Sequence, residues 1–168
     1  MVPSLLLVEK AAELRSRSGQ YEPAFSTRLI IDECFPDVLV TGSALEPGID
    51  ELVSSTPQGP IILYRRGLAT PDQRFAIAHG LAHLIFDGNN GICRPGYVGD
   101  PERELRADRF AAELLVPLVE LRPYVGRRPS TNRTEHELYL DMVDEIASHF
   151  HVPAWVVDQR IREHLAPD

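Results

Sequence analysis

The stretch RFAIAHGLAHLIF, residues 74–86, places His79 and His83 four positions apart, with no other polar side chain from Phe75 to Phe86. On a helix, four residues rise one turn and rotate the side-chain direction by only about 40°, so the two imidazoles point the same way and can share one ion. Zinc accepts imidazole nitrogen at about 2.0–2.1 Å, and a site with three protein ligands keeps one position open for chemistry. The pair therefore asks for a third ligand. The same spacing also suits two core histidines hydrogen-bonded to backbone or carboxylate, so the acids elsewhere in the chain must decide between the readings.

A second stretch, ERELRADRFAAELLV at residues 102–116, carries those acids. Glu104 and Asp108 are i and i+4 and share a helix face. That spacing would let Glu104 bind the metal while Asp108 accepts a hydrogen bond from the other nitrogen of a ligand histidine. Glu113 lies about 180° round the helix from Glu104 and cannot serve the same site. The competing reading makes Glu104 and Asp108 partners of Arg103, Arg106 and Arg109 in surface ion pairs. Other third ligands fit less well. Phe86 and Asn89 stand where a metzincin-type site needs glycine and histidine. Asp87 continues the histidine face but falls where the helix should fray, and reads as a loop residue. Cys93 would be a soft ligand without sequence support.

Residues 74–86 followed by ELRADRFAAELLVP, residues 104–117, resemble the ImmA/IrrE family of zinc metallopeptidase domains. In that family an HExxH helix supplies two histidine ligands and a catalytic glutamate, and the second motif supplies the third ligand. The resemblance implies Zn2+ held by His79, His83 and Glu104. The family's glutamate falls on Gly80. Its proton transfer is worth roughly 10² to 10⁴ in rate. The expectation is a regulatory protein on a metallopeptidase fold that binds zinc, hydrolyses peptides poorly and holds a protein partner in the old substrate cleft. A working endopeptidase using another base is the alternative, with Tyr97 or Asp87 as stand-ins; a DNA-associated regulator with a structural metal is a third reading. The resemblance implies a helix-turn-helix repressor, controlling stress or mobile-element genes, as partner or substrate. A glycine inside a helix costs about 1 kcal/mol relative to alanine, so Gly80 calls for a reason, close packing on a neighbouring helix being the structural one.

These residues need elements to hold them. Ser4 can cap a first helix ending near Gly19, and Ser26 a second through Cys34, stopped by Pro36. Residues 38–40 and 61–64 read as short strands flanking a turn-rich stretch around Pro47 and Gly48. Thr70 as cap, Pro71 and Asp72 start the histidine helix, and Gly88 ends it. Asp100 and Pro101 open the acidic helix, which Pro117 closes. Two further helices, from about 134 to 149 and 153 to 165, finish the chain. The fold class is α+β: a small mixed sheet packed on the two motif helices, with residues 1–125 as core and 126–168 as a helical, helix-turn-helix-like extension.

From Thr134 to Asp168 eight acids face only Arg160 and Arg162, which repels phosphate, and the net charge of −8 points the same way. Nucleic acid is not an expected partner, although Arg65, Arg66 and Arg74 could form a local basic patch. Ile146, Phe150, Val152, Trp155, Val156 and Ile161 read as the face that docks the extension, and His149 and His151 as exposed or capping residues. With 43% hydrophobic residues and no apolar run near the ~18 needed to span a bilayer, a soluble protein is expected. Glu9, Lys10 and Glu13 break up any signal-peptide pattern at the N-terminus. Cys34 and Cys93, in no redox or metal spacing, suit buried thiols in a reducing cytoplasm.

Overall fold

In the computed structural model, which describes residues 4–88, 100–125 and 134–164, α1 (Ser4–Ser18) and α2 (Thr27–Cys34) precede β1 (Leu39–Ser43), β2 (Glu51–Thr56) and β3 (Gly59–Arg65). Then come α3 (Thr70–Phe86), α4 (Pro101–Leu115), α5 (Leu118–Val125), α6 (Glu135–Phe150) and α7 (Ala154–His164). The three strands form one mixed sheet in the order β1-β3-β2, with β1 parallel and β2 antiparallel to β3. The class is α+β.

Local chemistry accounts for most of the boundaries. The Ser26 hydroxyl accepts from the Leu29 amide at the start of α2, and Asp100 accepts from the Glu102 amide at the start of α4, with Pro101 at the first helical position. Thr134 and Glu137 form a reciprocal capping box at α6. α3 departs from expectation. Its cap is Ala69, which makes no side-chain bond, and Thr70 is already helical. Pro71 and the burial of the apolar residues after it are enough to start the helix.

Two elements escaped the sequence reading. β2 sits in the stretch read as turns, and joins β3 through a two-residue hairpin in which Thr56 pairs with Gly59. α5 follows Pro117 directly and contains Pro123, which falls near its C-terminal end, where few carbonyls lose a partner.

α3 lies in the middle of the molecule. It packs on α4 along one side and on β2 and β3 along the other. Every residue from Ala76 to His83 is buried, as expected of a helix that is apolar nearly all round. The C-terminal helices are tied to it. Arg74 is buried, its charge lying over the Phe25 ring, and it donates to the carbonyls of Phe150 and His151. Burial pushes its guanidinium down to about 10.

The three arginines read as a basic patch do not form one: Arg65 pairs with Asp50, Arg66 donates to the Gly42 carbonyl, and Arg74 is internal. Of the expected docking face, Ile146, Phe150, Val152, Val156 and Ile161 are buried, whereas Trp155 is half exposed and meets Phe75 edge-on. His151 caps α6 in a left-handed conformation, and the exposed His149 meets the Tyr124 hydroxyl. Cys34 is only half-buried. Among the described residues no helix is long and apolar enough to cross a membrane.

Candidate metal centre

Helix α3 presents both histidines toward α4. The Nε2 atoms of His79 and His83 stand 2.9 Å apart. Across from them, Glu104 Oε2 is 3.4 Å from His79 Nε2, and Glu104 Oε1 is 3.8 Å from His83 Nε2. Ligands about 2.0 Å from a tetrahedral ion are separated by about 3.3 Å, so the three distances, on either side of that length, suit one face of such a site.

The outer nitrogens fix the chemistry of the inner ones. His79 Nδ1 is 3.0 Å from Asp108 Oδ1, and His83 Nδ1 is 2.7 Å from Asp87 Oδ2. A carboxylate only accepts, so each Nδ1 carries a proton, and a ring that is neutral then turns a bare Nε2 lone pair inward. Two lone pairs facing each other at that distance repel unless a cation or proton lies between them. The residues present therefore fit a metal ion. His83 is nearly sealed, at 2% exposure. Burial, and then the neighbouring His79, lower its pKa against the opposing pull of Asp87 and Glu104. The shift favours the neutral, ligating form.

Of the acids weighed from sequence, Glu104 and Asp108 come to the histidines and Glu113 does not: it is paired with Arg160 elsewhere on α4. Arg103, Arg106 and Arg109 pair with Asp100, Asp87 and Glu163 respectively. Asp87 needs correction. It is the C-terminal cap of α3, with its side chain sealed between His83 and Arg106, rather than trailing off as a loop residue. Tyr97 and Cys93 lie outside the described residues.

The residue that sequence reasoning missed is Glu51. It opens β2, is 5% exposed, and forms with His79 and His83 a group whose ligating atoms lie within 4.8 Å of one another. One signal for it existed. Glu51 and Val53 alternate in ELVSST, so an acid occupies an inward strand position. That acid also broke the apolar alternation that would have revealed the strand.

Gly80 has a packing reason, though the neighbour is the sheet and not a helix. A Cβ there would stand 2.9 Å from Ile62 Cγ2, 3.1 Å from Val53 Cγ2 and 3.2 Å from Glu51 Oε2.

Beside the centre opens a cleft of about 250 Å³, with Phe75 and Trp155 on one wall and Asp50, Asp72, Glu51 and Glu104 among its acids.

A small mixed sheet on two central helices, with an HxxxH pair answered by an acid from the next helix, defines a metallopeptidase-fold domain. Residues 36–162 match the family described as the IrrE N-terminal-like domain of peptidase M78, and the chain belongs to that family. The match begins just ahead of β1 and ends within α7. A comparison with curated proteins gives no match.

Proposed function

We propose that this domain holds a zinc ion through His79, His83 and Glu104 and engages a segment of another protein in the adjoining cleft. The observation that carries it is the pair of inward Nε2 atoms, each set by a carboxylate on its far nitrogen. Partners of that kind orient the rings and raise their basicity as ligands. A bound zinc ion supplies a Lewis acid that polarises a carbonyl oxygen.

The chain's own groups do the rest. Phe75 and Trp155 offer an apolar wall for a side chain, and the acids around the cleft favour a cationic one while repelling phosphate. The eight acids from Thr134 onward support a protein rather than a nucleic-acid partner. A repressor-type protein is the partner that family membership suggests. With glycine at position 80, α3 has no proton acceptor between the two histidines, which on its own would slow hydrolysis by roughly 10² to 10⁴.

Metal analysis of the purified chain beside His83→Ala tests the reading. About one zinc per chain in the native protein and little in the variant is the expected result. Equal zinc in both overturns it.

A further inference from the structure

Position 80 is bare because the sheet fills it from the other side. In the β2–β3 register Val53 pairs with Ile62, and Glu51 lies two residues from Val53 on the same strand face. Those three side chains are the ones a Cβ on Gly80 would meet. A glutamate at 80 would begin where the Glu51 carboxylate already ends.

We propose that Glu51 supplies, from the sheet, the proton-accepting carboxylate that position 80 lacks, which makes the site a working hydrolase of peptide bonds. The inference rests on the zinc reading above. Three observations carry it. Glu51 is buried and lines the same cleft as His79 and Glu104. One of its oxygens lies within 4.8 Å of ligating nitrogens on both histidines. Its backbone is held by β3 on a regular strand, which positions a reacting group better than a loop does. Glu51 is assigned as acceptor rather than ligand because His79, His83 and Glu104 already make three ligands, and a fourth would close the position a catalytic site keeps open.

In the step it performs, the Glu51 carboxylate takes one proton from the attacking water. The water oxygen bonds to the scissile carbonyl carbon, the C–N bond breaks, and the proton passes from Glu51 to the leaving amine. The products are a carboxylic acid and an amine, and the carboxylate is regenerated.

The test compares zinc-loaded full chain with Glu51→Gln. Zinc affinity is read first, by chelator competition, and is expected to stay close to that of the native protein. Acetohydroxamate is then titrated into both. Its O–H proton can pass to a carboxylate but not to a carboxamide, so the variant should bind it roughly 10- to 100-fold more weakly, the value of a charge-assisted hydrogen bond. Cleavage of a random peptide library, read by mass spectrometry, should fall by about 10² to 10⁴. Equal hydroxamate affinity in the two proteins, whether tight or absent, overturns the assignment and leaves the zinc reading standing, as does equal cleavage. A loss of zinc affinity of about a hundredfold or more makes Glu51 a ligand and overturns it as well. Native protein without zinc removes the reading beneath it, a different failure visible at the first step.

Discussion

Two glutamates of α4, nine residues apart, meet different partners on opposite faces of the helix. Glu113 has an 8% exposed side chain sealed against Arg160, which also donates to the Val116 carbonyl. Glu104 keeps 41% of its side chain exposed and looks across a cleft at two imidazoles. The first carboxylate is neutralised by a cation the chain carries, and the arrangement locks α7 onto α4. The second faces nitrogens that are bases, so the positive charge it suits must come from outside and can exchange with solvent. One helix thus serves docking on one side and a metal on the other.

The sharpest way to break this comparison is to exchange the consequences of the two acids. Glu113→Ala strands a buried guanidinium and should cost about 3–5 kcal/mol in urea denaturation of the metal-free protein, with zinc stoichiometry unchanged. Replacing both partners, Glu113→Leu with Arg160→Met, should recover most of that loss.

Glu104→Ala should do the reverse. Removing one ligand should weaken zinc by about 3 kcal/mol, roughly a quarter of what a four-ligand zinc site supplies, by chelator competition. The metal-free stability should move by no more than about 0.5 kcal/mol. A Glu104→Ala protein that unfolds early would show the acid to be structural and dissolve the contrast.

Asp108→Asn sharpens the metal side. It exchanges the charged acceptor on His79 Nδ1 for a neutral amide oxygen at a partly exposed position, and a 10- to 100-fold weaker zinc affinity is expected with little change in folding. The smallest effect concerns Gly80→Ala. Helix propensity gains about 1 kcal/mol, but overpacking against Ile62 and Val53 costs about 1–3, so a net loss of about 1 kcal/mol should appear in the melting curve. A more stable variant would show that the sheet has room to retreat, and with it the close approach that Glu51 exploits.

The motif helices were legible because their signals are local. Asp100 with Pro101 marks a start, an apolar run with two histidines marks a central helix, and i, i+4 spacing puts Glu104 and Asp108 on one face. β2 was hidden because its inward positions begin with an acid and its outward ones include serine, so neither alternation nor composition stood out. Asp87 reads as a loop residue from sequence because its place depends on Arg106, nineteen residues away. Trp155 does meet the core at Phe75 of α3, but it stays half exposed at the cleft, which its sequence position does not reveal.

By itself, then, the sequence determined which side chains share a helix face and which atoms they offer a metal, since periodicity and donor chemistry are properties of neighbours along the chain. Tertiary structure alone decided what fills the gap at Gly80. Strand pairing and the packing of sheet on helix bring Glu51 within reach from twenty-nine residues away, and no local pattern encodes that meeting.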